Sequence, residues 1–519
     1  MIGDDAQRAA IVDLDGEHTH AELRAASEAV ARELLRAAGD DDLAGARVAV
    51  HVPPGLAYAA TLLGTWRAGG IAVPLCLGHP EPELAYVIDD TRASIVVAEG
   101  EGAPLLRRLA DERGAVFGTA PADCTHVHVE GPLPDVSRDR PALILYTSGT
   151  TGRPKGVVLS HRNLAATIDA LVEAWGWSAE DRIVHILPLH HTHGIVNALL
   201  CPLAVGATVD MLAAFDASAV WDRFVDARAT LFMAVPTVYS RLIKEWEAEP
   251  EEQERRTAGA RHLRLTVSGS AALPVPILER WREITGHTLL ERYGMTEIGM
   301  ALSNPLNGER RPGCVGEPLP GVEVRLLDEE GREVPAGEPG ELHVRGPTVF
   351  REYWERPRET EAAFREGWFR TGDIAIVEQG VYRILGRRSV DIIKTGGYKV
   401  SALEIENVLG GHPDIDECAV VGVADPEWGE AVCAAVVAHR EIGRDELRDW
   451  ARERLAPYKL PTRVCRLDRL PKNVMGKVRK PEVRALFEVA DGPGPASRPR
   501  RQSDILSDRQ SENRAEEHT

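Results

Sequence analysis

Helical and extended patterns alternate along the first half of the chain. Residues 20–46 read as a helical segment rich in Ala and Glu. A short apolar run, VAVHV from Val48, follows and stops at Pro-Pro-Gly. Further short runs stand at IVVA (95–98), ALILY (142–146) and LFMAV (231–235), with helical pattern between them. Runs that are apolar throughout suit strands buried on both faces, so this alternation predicts an α/β protein with largely parallel sheets. Between Pro312 and Gly346 the texture changes to alternating runs, VEVRLL and ELHVRG, broken by Gly and Pro. That stretch predicts an antiparallel, β-rich insert.

A second change falls after Arg387. Residues 388–486 carry the runs CAVVGVA and AAVVAHR and an amphipathic helix near 443–455, which predicts a small, separate α+β domain. The boundaries expected are therefore 1–387 for a large N-terminal domain, 388–486 for the small one, and 487–519 for a polar, Pro/Gly/Ser-rich tail expected to be disordered. No internal repeat is evident. The longest largely apolar stretch, Val196 to Val209, is shorter than the roughly 20 residues that span a bilayer. The start, MIGDDAQRAA, has neither signal-peptide nor transit-peptide character, so a cytoplasmic protein with no membrane partner is expected.

Composition sharpens the picture. A length of 519 residues predicts at least two domains and a large core. With 61 Lys+Arg against 80 Asp+Glu the net charge is −19, which argues against nucleic acid or an anionic membrane bound through bulk charge. Small anionic substrates at a local basic site remain compatible. Lysine supplies only eight of the basic residues. Seven scattered cysteines, Cys76, Cys124, Cys201, Cys314, Cys418, Cys433 and Cys465, form no C-x-x-C pair and suit a reduced interior.

The most informative stretch is ALILYTSGTTGRPKG. A buried strand runs into Thr147, Ser148, Gly149, Thr150, Thr151 and Gly152, with Lys155 close behind. Small residues let backbone N–H groups approach a ligand, hydroxyls add donors, and an ammonium adds charge, which together suit a polyphosphate. The string is not a Walker A loop, since Gly156 rather than Ser or Thr follows Lys155. Taken alone, a glycine-rich turn after a strand is the plainer explanation; the full string favours phosphate binding.

YTSGTTGRPKG resembles the signature of the adenylate-forming superfamily, which includes acyl-CoA synthetases, luciferases and adenylation domains. YGMTE (293–297), GWFRTGD (367–373), GRRSVDIIKTGGYKV (386–400) and PKNVMGK (471–477) match further family motifs in order. The resemblance implies a large adenylation domain, a mobile C-terminal domain, ATP and CoA as co-substrates, and Mg²⁺. A carboxylate would attack the α-phosphate of ATP, releasing pyrophosphate, and a thiol would then displace AMP. By resemblance, Thr147–Lys155 wraps the β/γ-phosphates, Tyr293-Gly294-Met295 meets the nucleotide, Thr296 contacts the α-phosphate and Glu297 holds Mg²⁺. Asp373 would accept the ribose hydroxyls with Arg387 assisting; on its own, Thr-Gly-Asp reads as a type I turn. Lys477 resembles the mobile catalytic lysine, and Gly396, Gly397, Tyr398 and Lys399 would line the pantetheine tunnel. A hinge is expected near Arg387–Asp391, where Ser389 stands in place of the family's frequent Asp or Lys.

The acyl pocket is the distinctive part. His190, His191 and His193 cluster in LPLHHTHG, but no Cys or carboxylate set accompanies them as metal ligands. His191 is expected to orient or gate the substrate carboxylate and His193 to line the pocket. Arg292 precedes Tyr293, and Arg241 closes VPTVYSR. If both face the acid, a monocarboxylate leaves guanidinium groups unpaired, whereas a second carboxylate pairs with them. The plainer alternative is a structural ion pair. VPTVYSR, VSGSAALP and LLERYGMTEIGM together resemble malonyl-CoA synthetases, which implies that Arg241, Arg292 and Ser270 bind malonate or methylmalonate. Another short acid, a carrier-protein acceptor, or a nucleotide-binding regulator without turnover are the competing readings, and oligomeric state stays open. Five of the eight lysines, Lys155, Lys394, Lys399, Lys472 and Lys477, fall inside these motifs.

Overall fold

The computed structural model describes residues 6–119, 132–147, 153–226, 229–395, 398–426, 428–472 and 478–488. Among them the strands form sheets of nine, seven, five and five members. In the seven-stranded sheet, Arg47–His51 runs parallel to Ile71–Pro74 and Ile95–Ala98, and Ile71–Pro74 runs parallel to Pro141–Thr147. Val48 and Val50 face a large common core, while Ala49, Ile71, Val73 and Val96 pack with Leu84, Val87 and Leu106 of the helices Glu81–Thr91 and Ala103–Arg113. Both faces of these strands are covered. That is why the runs are apolar rather than alternating.

The nine-stranded sheet repeats this logic. Arg182–His185, Thr208–Met211, Leu231–Ala234, Leu265–Ser268 and Leu290–Met295 are parallel. Ile183, Leu231 and Met233 join the common core, whereas Val184, Phe232 and Ala234 pack with Trp221, Tyr239 and Trp281 from the helices beyond. The α/β expectation with largely parallel sheets holds.

Two expected boundaries move. Helix His20–Ala38 starts at a Thr19/Glu22 capping box and ends at Gly39, whose φ of 69 leaves the helical region, so the helix is shorter than residues 20–46. The antiparallel sheet comprises Glu323–Leu327, Gly340–Arg345, Phe364–Arg365, Trp368–Glu378 and Val381–Arg387. It therefore extends well past Gly346, because the later hairpin pairs back onto Gly340–Arg345. The apolar stretch from Val196 divides between a π-helical segment, His193–Leu200, and the short helix Cys201–Val205. No helix among the described residues is long and apolar enough to cross a membrane.

The last sheet draws on Ile392–Thr395, Tyr398–Ser401, Ile415–Asp425, Gly429–Ala438 and Arg463–Arg466. Its two apolar clusters take their buried residues between Ile393 and Phe487, and the expected amphipathic helix is Arg444–Arg452. The tail beyond residue 488 lies outside the described residues, as does Cys124; the other six cysteines form no disulfide among the described residues.

Helices His20–Ala38 and Leu56–Arg67 approach closely at Gly64, where an added Cβ would stand 2.6 Å from Val30 Cβ and 2.8 Å from the Ser27 carbonyl oxygen. Overpacking of this kind costs about 1–3 kcal/mol. Gly64→Ala is expected to lower the first thermal unfolding transition measured by calorimetry; an unchanged transition contradicts the close approach.

Candidate active site

In open α/β sheets, ligand sites form beyond the carboxyl ends of the strands. Here four neighbouring parallel strands deliver the candidate residues at such ends. Arg182–His185 leads to His190, His191 and His193; Leu231–Ala234 leads to Arg241; Leu265–Ser268 leads to Ser270; and Leu290–Met295 carries Arg292 and Tyr293. In the other large sheet, Pro141–Thr147 ends at Thr147 and Lys155 opens the antiparallel partner strand, the two being register partners. Ser148, Gly149, Thr150, Thr151 and Gly152 between them lie outside the described residues. The loop's C-terminal flank is held by the Tyr86 hydroxyl, which donates to the Pro154 carbonyl at 2.7 Å.

On the nucleotide side, the Tyr293 hydroxyl donates to Asp373 Oδ2 at 2.5 Å and Arg387 Nε donates to Asp373 Oδ1 at 3.0 Å. Asp373 is no turn residue. It lies within the strand Trp368–Glu378, opposite Arg387, just after Gly372 with φ 74. The Thr371 hydroxyl accepts the Asp373 N–H at 3.0 Å and fixes this kink. Burial opposes charge on Arg387, but the Asp373 carboxylate outweighs it and raises the guanidinium pKa.

Tyr293-Gly294-Met295 and Thr296 are half-buried at the turn into Gly299–Ser303, where Ile298 N–H returns to the Met295 carbonyl at 3.1 Å. Glu297 is buried, and burial pushes its carboxyl pKa up. The Tyr353 hydroxyl donates to Glu297 Oε1 at 2.9 Å, and the Lys155 ammonium lies 5.0 Å from the Tyr353 ring centroid. Tyr353 thus joins Lys155, the candidate phosphate lysine, to the candidate metal carboxylate. Sequence reasoning missed it, because it belongs to no motif; its cross-strand pairing with Val157 is what places it there.

The acyl side is buried and cationic. Arg292 is 4% exposed, and its nearest polar partner is the Ser270 hydroxyl at 3.4 Å. Among the described residues it has no carboxylate partner, and its Nε is buried without a hydrogen bond. Burial lowers its pKa to about 10, so the guanidinium stays charged at neutral pH. Ser270 has φ 69, a strained value for a residue with a side chain, and its hydroxyl lies 3.4 Å from His193 Nδ1. Gly269 lets Arg292 in: a Cβ there would stand 2.4 Å from its Cζ.

The three histidines are neutral at pH 7. Burial pulls His191 down to about 4, His190 to about 2 and His193 well below its usual value. No metal-ligating cluster occurs among the described residues. The structure does not bring Arg241 into the same network. It is exposed on helix Pro236–Ala248, 5.8 Å from the Phe215 ring centroid, and no hydrogen bond or ion pair ties it to Arg292, Ser270 or His193.

Farther along, Gly396, Gly397 and Lys477 lie outside the described residues, and Lys399 contributes only its place in the strand Tyr398–Ser401. Tyr398 is 54% exposed and stacks on Tyr458 with ring centroids 4.2 Å apart. At the expected hinge, Arg388 donates to Glu341 Oε2 at 2.7 Å and Arg370 donates to the same oxygen at 3.4 Å.

A two-part α/β fold, a strand pair that sets Thr147 opposite Lys155, and an aspartate braced by tyrosine and arginine agree with the class that the family models define. Residues 3–354 match the AMP-binding enzyme family and residues 404–477 match the AMP-binding enzyme C-terminal domain. The chain belongs to this family and is an acyl-CoA synthetase-type ligase. It is 47% identical to the mitochondrial malonate–CoA ligase of Bos taurus, over 93% of this chain and 89% of that protein. Among solved structures it resembles ATP-bound MatB from Rhodopseudomonas palustris, with 38% identity, a TM-score of 0.86, and 94% and 97% of the two chains covered. A malonyl-CoA ligase ternary product complex with methylmalonyl-CoA and AMP is 39% identical with a TM-score of 0.66, covering 91% and 98%.

Glu341 offers a pH test of the hinge flank. Burial pushes its carboxyl up, but His343, whose Nε2 lies 3.8 Å from Oε2, and the charges of Arg388 and Arg370 outweigh that and bring it from 4.5 down to about 2. A depressed carboxyl stabilises the fold above its unfolded pKa, and the contribution fades as pH falls through the folded one. Glu341→Gln is therefore expected to lower the melting temperature at neutral pH, with the gap to the unmodified protein narrowing between pH 4.5 and about 2. A gap that does not change with pH contradicts this pairing.

Proposed function

We propose that the chain joins malonate to CoA through a malonyl-adenylate, forming AMP and pyrophosphate. The observation that carries the choice of acid is Arg292, a charged, buried guanidinium with no carboxylate partner among the described residues. Isolated buried charge costs several kcal/mol, and the distal carboxylate of a short diacid offsets it through charge-assisted hydrogen bonds. The malonate–CoA ligases among the relatives support the same reading. Methylmalonate fits the same charge logic, since one methyl group is worth only about 1–3 kcal/mol of discrimination.

In the first step a carboxylate oxygen bonds to the α-phosphorus and the bond to pyrophosphate breaks. The two reactants are both anions, so positive charge and N–H donors must meet them. In this reading Thr147, Ser148, Gly149, Thr150, Thr151, Gly152 and Lys155 hold the β/γ-phosphates. Tyr293 flanks the adenine, Asp373 with Arg387 holds the ribose, and Thr296 meets the α-phosphate. Lys477 bridges the attacking carboxylate and the α-phosphate as charge builds. His191, neutral at pH 7, orients the reacting carboxylate by hydrogen bonding rather than by charge. Ser270 and His193 border the distal carboxylate beside Arg292.

Magnesium takes one or two carboxylates plus phosphate oxygens and water. Glu297 fits that donor set, since it is a buried carboxyl and Tyr353 holds one of its oxygens. A bound Mg²⁺ would supply charge neutralisation on the triphosphate. In the second step the CoA sulfur bonds to the acyl carbon, the carbon–oxygen bond to AMP breaks and the thiol proton is lost. The Gly396-Gly397-Tyr398-Lys399 segment is the proposed path for the pantetheine arm.

Pyrophosphate exchange with malonate, methylmalonate, acetate, benzoate and octanoate tests the assignment. Malonate and methylmalonate are expected to lead; a preference for octanoate overturns the diacid reading. Arg292→Ala is expected to raise KM for malonate at least about tenfold while KM for ATP changes less than about twofold. Steady-state kinetics reads both, and equal rises contradict the role given to Arg292.

A further inference from the structure

The short segment 350–354 bridges two side chains that the sequence carries far apart, Lys155 and Glu297. Backbone hydrogen bonds fasten both of its ends. Phe350 N–H donates to the Glu297 carbonyl at 2.7 Å, and Trp354 N–H donates at 2.7 Å to the carbonyl of Gly156, next to Lys155. Between these ends Glu352 and Tyr353 pair with Val158 and Val157. Gly156 permits the close approach, since an added Cβ would stand 2.8 Å from Ile144 Cγ2 and 3.2 Å from Trp354 Cβ. The result sets Tyr353 between the two functional groups. Its hydroxyl donates to Glu297 Oε1 at 2.9 Å, and its ring centroid lies 5.0 Å from the Lys155 ammonium.

The surroundings hold that ring in place. Tyr353 N–H donates to the Thr360 hydroxyl at 3.0 Å, and the ring packs on Phe350 with centroids 4.7 Å apart. Phe350 packs in turn on Phe369, at 5.4 Å, in the strand Trp368–Glu378 that also carries Asp373. Tyr353 is 9% exposed, so the close-packed ring leaves its hydroxyl little choice of direction. Two other buried tyrosines show how a core hydroxyl is commonly satisfied: Tyr58 donates to the Leu189 carbonyl at 2.5 Å and Tyr239 to the Val267 carbonyl at 2.9 Å. Tyr353 donates instead to a buried carboxylate. A hydrogen bond of this kind decides which oxygen the carboxylate presents to a metal. A cation over an aromatic face gains an attraction that grows as water is excluded. One side chain therefore acts on both groups through separable atoms, its O–H on Glu297 and its ring on Lys155.

We propose that Tyr353 is a positioning residue that fixes the Glu297 carboxylate for the metal and the Lys155 ammonium for the β/γ-phosphates. The inference rests on the reading of Glu297 as the metal carboxylate and Lys155 as the phosphate lysine. The test titrates ATP calorimetrically into full-length protein, once in Mg²⁺ and once in EDTA. Tyr353→Phe keeps the ring and removes the O–H. It is expected to weaken ATP binding in Mg²⁺ at least about tenfold and binding in EDTA less than about twofold. KM for malonate in pyrophosphate exchange is expected to stay within about twofold. Tyr353→Leu removes the ring as well, and is expected to add a loss of at least about threefold in EDTA. Equal losses in Mg²⁺ and EDTA with Tyr353→Phe, no loss in either, or a matching rise in KM for malonate overturn the proposal. If Tyr353→Phe does not fold, Tyr353→Leu decides: a larger loss in Mg²⁺ than in EDTA supports the proposal and equal losses overturn it. Two further variants separate the levels. Glu297→Gln protein that gains as much from Mg²⁺ as the unmodified protein overturns the metal reading of Glu297 and the inference with it. Lys155→Met protein that binds ATP unchanged in EDTA overturns the phosphate reading of Lys155 and the part given to the ring. Losses in both of these variants without the Mg²⁺-selective loss in Tyr353→Phe overturn the inference alone.

Discussion

The Arg292 guanidinium is charged at neutral pH, 4% exposed, and matched by no carboxylate among the described residues. Its neighbours are built to admit it rather than to neutralise it. Gly269 has no side chain where the guanidinium lies, and Ser270 takes a strained backbone conformation to present a hydroxyl at 3.4 Å. The neutral His193 adds a polar atom without adding charge. On the proposed diacid reading, this site holds positive charge in reserve for an anion that arrives with the substrate. The buried environment that makes the unpaired charge costly also strengthens its interaction with a carboxylate once water is excluded.

The same economy runs through the nucleotide side. Asp373 is braced by Tyr293 and Arg387, each using one of its oxygens, and the kink at Thr371-Gly372 sets it within a long strand rather than at a loose turn. Tyr353 connects Glu297 to the Lys155 ammonium across an edge strand. These contacts pre-position groups before either anionic reactant is present. Because the reaction joins two anions, catalysis of this type depends mainly on positioning and on fixed charge.

Much of this was legible in the sequence, for physical reasons. Strands buried on both faces demand continuous apolar runs, so VAVHV, IVVA, ALILY and LFMAV announced the parallel sheets. Motif residues such as Asp373, Arg387 and Glu297 were recognisable because their spacing carries chemistry. Long-range pairing was not legible. Nothing local marks Tyr353, which reaches Glu297 through its register with Val157, or Glu341, which gathers Arg370 and Arg388 from distant strands. The β-rich insert was read as too short, since its closing hairpin pairs back across more than twenty residues. Which helix face Arg241 occupies was not legible either; it stands exposed beside Phe215.

A crystal structure of the enzyme with malonate and a non-hydrolysable ATP analogue tests the central claim most directly. The account predicts one carboxylate directed toward the α-phosphate and the other within hydrogen-bond distance of the Arg292 guanidinium and the Ser270 hydroxyl. Malonate bound with neither carboxylate near Arg292, or Arg292 paired instead to a carboxylate of the protein, would contradict it.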